Sequence, residues 1–275
     1  RVLYGKREYV DFPRPALQSA WGAANVAPYA LPSGTGAGPA VWVHGLLCDY
    51  HSFCGSYGGY AFPLWDRRHG LEGTNLRPAL LDGLASVYGR LVSAQEAFDA
   101  IVVLLSAKSY TRRFAWDLEE TFAHIPFPAQ ADVFADAVRI GSEIRLLETF
   151  AREPAADFRK ARMAGHATGV TLAVPPVGRA FLADGRGSGA VALQEDQSLR
   201  LVGVPEPVWR FAVSGYRALP RWLAARNGEA LDREFNHALL DVAWRIAELL
   251  HWFDSAHQAL SRAVDAPLSI ADLGL

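Results

Sequence analysis

The spacing of hydrophobic and polar positions changes rhythm along the chain. Residues 1–65 carry short apolar runs, such as Val2-Leu3-Tyr4 and AVWV at 40–43, broken by Pro and Gly clusters such as LPSGTGAGP at 31–39. That is the pattern of short strands joined by loops. From about residue 75 the period becomes helical. AQEAFDAIVVLLSAK at 94–108 predicts a buried helix with Ile101, Leu104 and Leu105 inward, and IPFP at 125–128 breaks it. A second helix is expected over about 131–151, with Phe134, Val138, Gly141, Ile144 and Leu147 on one face. β character returns over 168–213, where VTLAVPP, AVALQE and LRLVGV flank the turn-rich ADGRGSG at 183–189. The end is helical again. A short amphipathic piece at 216–226 stops at Asn227-Gly228, and Asp232 then caps a long helix. Its apolar seam, Phe235, Leu239, Val242, Ile246, Leu249, Phe253 and Leu260, advances in threes and fours, and packing inside the molecule is the expected use.

Strands and helices are segregated, which predicts an α+β fold. The expectation is one domain over 1–275. Its β-rich portion covers about 1–70 and 168–213 (with loops, 165–213), a helical portion covers 75–155, and C-terminal helices cover 214–275. Composition agrees: 51% hydrophobic and 20% charged residues describe a globular chain, long enough to bury a real core. No apolar run approaches the ~20 residues a bilayer demands. With Arg at position 1 and no signal-like opening, the sequence reads as a piece of a longer protein. Two cysteines are too few for a disulfide framework, and point to the cytoplasm.

Candidate chemistry concentrates in VWVHGLLCDYHSFCGSYGGYAFPLW at 41–65. His44-Gly45 after a strand resembles the oxyanion loop of a serine hydrolase, but no G-x-S-x-G nucleophile turn occurs anywhere. Cys48, His51 and Cys54 are spaced like a metal knuckle, yet structural zinc needs a second ligand pair, and these are the only cysteines. The expectation is therefore no metal and no catalytic constellation. The glycines of SGTGAG and DGRGSGA match neither phosphate-loop order. What remains are basic clusters: DRRHG at 66–70 (Arg67, Arg68), YTRRFAW at 110–116 (Arg112, Arg113) and FRKARMAGH at 158–166 (Arg159, Lys160, Arg162). Net charge is −2, so any nucleic-acid affinity rests on where charge sits rather than on its sum. Of 27 basic residues 24 are Arg, the residue suited to phosphates and guanine edges, although a GC-rich coding sequence produces the same bias.

Several segments in order resemble one family. CDYHSFCGSYGGYAFPLW is similar to the segment ending in an F-P-L-aromatic motif of the C-terminal specificity domain of type ISP restriction-modification enzymes. IVVLLSAKSYTRRFAWDLEETFAHIPFP resembles that family's helix, Y-R-x-R stretch and P-R-I-P-x-P loop, and FADAVRIGSEIRLLETF its next helix. GVPEPVWRFAVSGYRALPRWLAARNGEAL carries the most specific match, through Val204-Pro205, Val208-Trp209, Gly215-Tyr216 and Trp222-Leu223. Departures are His124 for Arg, Ser214 for Gly, Pro220 where a helix is expected to continue, and Phe253-Asp254 where the family commonly has Ile-Asp.

The resemblance implies a target recognition domain that reads double-stranded DNA. It also implies that an adenine-N6 methyltransferase, and often a helicase and nuclease, lie elsewhere in the parent chain. S-adenosylmethionine and the flipped target base would belong to that methyltransferase, with no cofactor here. Arg67, Arg68, Arg112, Arg113, Arg159, Lys160 and Arg162 would hold phosphates. Loops 33–38, 49–58 and 183–190, with Asp49, His51, Arg186 and Ser188, would meet base edges. Two other readings stay open on sequence alone. One is a protein-interaction module using the 235–260 seam, and the other is a cryptic hydrolase or zinc site at 44–54.

Overall fold

The computed structural model describes residues 15–22, 24–48, 52, 58–69 and 73–275. Asp49, His51 and Cys54 lie outside the described residues, as does most of the loop 49–58. A short helix α1 (Pro15–Ala20) precedes three strands, β1 (Ala27–Ala30), β2 (Val41–His44) and β3 (Tyr60–Ala61). They form an antiparallel sheet in the order β2-β1-β3. Helices α2 (Pro78–Tyr88), α3 (Ala94–Ser106), α4 (Lys108–Arg113), α5 (Asp117–Glu120) and α6 (Ala131–Glu148) follow.

The second half alternates short elements. Strand β4 (Arg162–Gly165) leads to helix α7 (Val177–Ala180), then β5 (Phe181–Ala183), β6 (Ser188–Ala192) and β7 (Leu199–Pro205). These strands form an antiparallel sheet ordered β4-β7-β6-β5. Helix α8 (Glu206–Arg210), a two-strand ribbon of β8 (Ala212–Val213) and β9 (Tyr216–Arg217), and helices α9 (Ala218–Ala225) and α10 (Arg233–Asp265) complete the chain.

The helical core is α3, α6 and α10 packed on one another. Ser93 and Glu96 close a reciprocal capping box at the start of α3. At the α3–α6 crossing the backbones touch, since a Cβ on Gly141 would fall 1.8 Å from the Asp99 carbonyl oxygen. Beside this contact Arg145 Nε donates to Asp99 Oδ1 at 2.6 Å, an ion pair with Asp99 only 3% exposed. Burial raises the Asp99 carboxyl above its ordinary value, and Arg145 opposes that shift.

Helix α10 starts as expected, with the Asp232 carboxylate accepting from the Phe235 N–H at 2.8 Å. Phe235, Leu239, Ile246, Leu249, Phe253 and Leu260 of its seam are buried, facing the helical core rather than solvent. Its buried charges serve the chain beyond α6. Glu248 takes Arg152 at 2.6 Å and the Ala155 N–H at 2.7 Å, while Arg245 Nη1 donates to the carbonyls of Leu147 and Arg152.

Three expectations shift. Helix α3 ends at Ser106 because Ala107 is extended, and a new helix, α4, begins at once; the 125–128 prolines come well after the break. VTLAVPP forms no strand, only a bridge at Thr171 to Ala230, since Pro175 and Pro176 supply no N–H and α7 starts directly after them. Pro220 does not interrupt a helix. It sits in the first turn of α9, where its missing N–H has no intrahelical acceptor to lose. None of the described helices is long and apolar enough to cross a membrane.

Candidate functional site

The four-stranded sheet has two unlike faces, set by alternation along β7. Leu199 and Leu201 are buried, whereas Arg200 is exposed and Val202 half-buried; the register then shifts opposite Gly189 and Ala190, with Gly203 at φ +72° as the extra residue, so Val204 turns inward out of step. Directly opposed residues of antiparallel strands point to the same face. Register therefore places Met163, Leu201, Val191 and Phe181 in one inward row. The other face carries the rows Arg162–Val202–Ala190–Leu182 and Ala164–Arg200–Ala192, open to solvent at Arg162 and Arg200 and covered at Ala192. Arg162 and Arg200 are diagonal neighbours there, separated by small side chains. Both side chains are exposed, and neither has a hydrogen-bond or ion-pair partner among the described residues. Lys160, whose exposed ammonium has no partner among the described residues, precedes β4.

At the far edge of the sheet, β5 and β6 form a hairpin. Asp184 Oδ1 accepts from the backbone N–H of Arg186 at 2.7 Å and of Ser188 at 3.1 Å, and the Asp184 N–H donates to the Ser188 carbonyl. This Asx turn stiffens the tip. Arg186 is exposed on it, while Ser188 is half-buried and closes the turn through its backbone.

The three basic clusters have different fates. In α4, Tyr110 and Thr111 are buried; the Tyr110 hydroxyl donates to the His124 carbonyl and Thr111 Oγ1 to the Gly38 carbonyl. That leaves Arg112 and Arg113 exposed and unpaired, beside Trp116, which is 85% exposed. In the first cluster Arg68 clamps buried Asp66 with two parallel bonds, Nε–Oδ1 at 2.9 Å and Nη2–Oδ2 at 2.6 Å. Arg67 is exposed and donates to the Trp21 carbonyl at 3.3 Å. In the third, Arg159 donates to the Pro154 carbonyl and lies over the Trp244 ring, whereas Lys160 and Arg162 face solvent.

Loop 33–38 is laced to the protein on two sides. The Gly34 N–H donates to the Leu118 carbonyl, the Gly36 N–H to Ser214 Oγ, and the Gly215 N–H to the Ala37 carbonyl. Gly38 has φ +102°, and a Cβ there would fall 1.9 Å from the Ala212 carbonyl oxygen. At least part of the glycine richness therefore serves close packing on the β8–β9 ribbon. Ser214, with φ +46°, holds a backbone region that favours glycine, and its hydroxyl compensates by accepting the Gly36 N–H.

His44 ends β2 with Nε2 buried and unpaired, and burial pulls its pKa down to about 4. Neighbouring Val43, opposite Pro28 on an edge strand, gives its N–H to Glu148 Oε2 at 2.7 Å. Glu148 is fully buried, its Oε1 has no partner, and burial pushes its carboxyl well above the ordinary range. Cys48 is half-buried among apolar residues. Among the described residues no group of three His, Cys, Asp or Glu is placed to hold a metal ion.

Sequence inspection missed Arg200. The signal was available: Arg between leucines in LRLVGV must face away from the core.

A family model described as the Type ISP C-terminal specificity domain matches residues 1–248. No sequence match is found among curated proteins. Among solved structures the chain is similar to the "ATP-dependent Type ISP restriction-modification enzyme LlaBIII bound to DNA", at 15% identity and TM-score 0.66, over 92% of this chain and 17% of that one. It is also similar to a chain of the "cryoEM structure DrdV-DNA complex", at 16% identity and TM-score 0.59, over 90% and 25%. The chain thus spans a quarter or less of these relatives, and the likeness establishes a shared α+β fold.

Proposed function

Because this chain belongs to the family of Type ISP C-terminal specificity domains, we propose that it reads the sequence of double-stranded DNA for a restriction-modification protein whose catalytic parts lie outside residues 1–275. In this proposal the parent carries an adenine-N6 methyltransferase using S-adenosylmethionine, with a helicase and nuclease where it also cuts, and acts in the cytoplasm.

The observation that carries the proposal is the outer face of the four-stranded sheet. The chain has 29 acidic against 27 basic residues, so carboxylates are plentiful. Lys160, Arg162 and Arg200 nevertheless stand exposed without one. Cations held close together without counter-charges repel each other mildly, and an external polyanion relieves that repulsion. Small side chains between Arg162 and Arg200 let a phosphate backbone approach the sheet closely. The stiff β5–β6 tip then presents Arg186, whose fork can take two acceptors on a guanine edge. Arg112 and Arg113 supply a second unpaired pair on α4, while Arg68 and Arg159 are largely occupied within the protein and rank lower as phosphate ligands. The partner-binding alternative through α10 loses its basis, because the seam it needs is buried in the helical core.

The test is an anisotropy titration of the 275-residue chain with a randomised duplex pool at two salt concentrations, followed by sequencing of the bound fraction. Binding that weakens steeply with salt and enriches one site is expected. Salt-insensitive binding, or bound DNA with no enriched sequence, would refute sequence reading.

A further inference from the structure

Trp116 stands on the surface between α4 and α5 and is the most exposed aromatic side chain among the described residues, at 85%. We propose that Trp116 is a stacking contact to DNA, its indole set against one base while Arg112 and Arg113 hold the adjoining phosphates. This use rests on the DNA-reading role above.

Local folding is the first argument. Tyr110, Thr111 and Leu118 are buried and Phe114 is half-buried, a spacing that turns one side of 110–118 into the protein. The Phe114 N–H donates to the Tyr110 carbonyl and the Leu118 N–H to the Phe114 carbonyl, both at 3.0 Å, so the chain keeps a helical path between α4 and α5. Residues three and four apart on such a path share a face, which sets Arg112 and Arg113 on the same side as Trp116. The Gly-rich loop pins the segment at both ends. The Gly38 carbonyl accepts from Thr111 Oγ1, and the Gly34 N–H donates to the Leu118 carbonyl. The indole is therefore presented from a fixed backbone, which reduces the ordering cost of binding.

The groups left free are the second. The rings of Trp209, Trp222 and Trp244 each have an arginine lying over them. Trp116 follows two arginines by three and four residues, yet among the described residues none lies over its ring, and neither Arg112 nor Arg113 has a hydrogen-bond or ion-pair partner. A single exposed apolar residue is ordinary, and Leu91 is one, at 90%. An indole beside two free guanidinium groups is a different surface. It offers a flat π-face with cations at its edge, the combination by which proteins hold a base together with its phosphates.

Charge is the third, and it gives the face a direction. Glu119 and Glu120, both exposed, continue the face one turn beyond Trp116, so its sign reverses across the indole. Carboxylates repel a phosphate strand, which confines the strand to the arginine side and puts the ring at the border between backbone and bases. Stacked bases show only their edges, so a base meets the indole with its face only where one step of the duplex opens. Opening a step is costly, and stacking on the aromatic ring offsets that cost.

The experiment is an anisotropy titration of the 275-residue chain and its variants with the duplex enriched from the randomised pool, at several salt concentrations. Trp116→Ala should bind roughly tenfold more weakly, as the loss of one stacked base predicts. Its salt slope should equal that of wild type, because the indole neutralises no phosphate. Its melting temperature should not fall, since the side chain is 85% exposed. Trp116→Phe keeps a π-face and should retain most of the affinity, whereas Trp116→Leu should not. Arg112→Ala with Arg113→Ala should instead reduce the slope by about 2. Unchanged affinity in Trp116→Ala overturns the contact. So does equal binding by Trp116→Leu and Trp116→Phe, which would mark an apolar contact without stacking, or a salt slope that falls in Trp116→Ala. Any of these results with selective binding by wild type leaves the DNA-reading role standing, whereas no selective binding by wild type removes both.

Discussion

Arginine does opposite things in the two halves of this molecule. In the helical core, Arg145, Arg152 and Arg245 are fixed by Asp99, Glu248, Asp241 and backbone carbonyls, each bond spanning from one element to another or along one helix. On the outer face of the four-stranded sheet, Arg162 and Arg200 are held by register alone and touch no acid. The same guanidinium is structural where it is buried with a partner and available where it is exposed without one. Counting basic residues, or locating them in clusters, does not separate these cases. Burial and partnership do.

The contrast breaks most visibly at Asp99. Removing it in Asp99→Ala leaves Arg145 largely buried without its anion and should cost about 3 kcal/mol. Urea unfolding measures this; a loss under 1 kcal/mol would mean that water reaches Arg145. Arg162→Ala with Arg200→Ala should leave unfolding within about 0.5 kcal/mol of wild type. Its DNA affinity should fall on all sequences alike, and the log–log salt slope should shrink by about 2. Anisotropy at several salt concentrations decides, and an unchanged slope would remove both residues from the interface.

A pH dependence sharpens the buried side. The Glu148 carboxyl titrates well above its ordinary value in the folded protein, so its neutral form is the one the fold tolerates. That contribution is complete below the unfolded glutamate value of about 4.3 and is lost as pH rises toward the folded value. Glu148→Gln should therefore gain on wild type as unfolding is measured from pH 5 to pH 8, and parallel profiles would contradict this assignment. The smallest effect is expected at Arg210, which is exposed and paired with Glu206 one turn away. Arg210→Ala should change stability by no more than about 0.5 kcal/mol and leave the salt slope intact, separating it from Arg162 and Arg200 in both respects.

Much of the fold is legible in local pattern. The α10 seam, the Asp232 cap, the Asn227-Gly228 stop and the α6 face with Gly141 follow from residue spacing, because each depends on neighbours within a few turns. The break at Ala107 carries no local marker, since alanine favours helix; the backbone leaves the helix there and α4 begins immediately, so a single long helix is the natural but incorrect expectation. The candidate site was half legible. The exposed hairpin tip and the YTRRFAW cations were visible as turn and cluster. That Arg68 is spent on Asp66, and that Arg162 has Arg200 as a neighbour, depends on side-chain conformation in one case and strand register in the other. Register joins residues 38 positions apart, beyond any local window.

Helix α10 has a metrological consequence. Its 33 residues rise about 50 Å, close to the axial length of fifteen base pairs. It contacts α3, α4, α6, α8 and β4, so it holds elements of both halves at fixed separations as a ruler does. Adding one residue within it would turn everything beyond by about 100° and tear the seam from its bed. Lengthening the β5–β6 tip disturbs nothing behind it. Diversity in what such a protein reads is therefore expected to accumulate as changes in the lengths of its loops, with the length of this rod held constant.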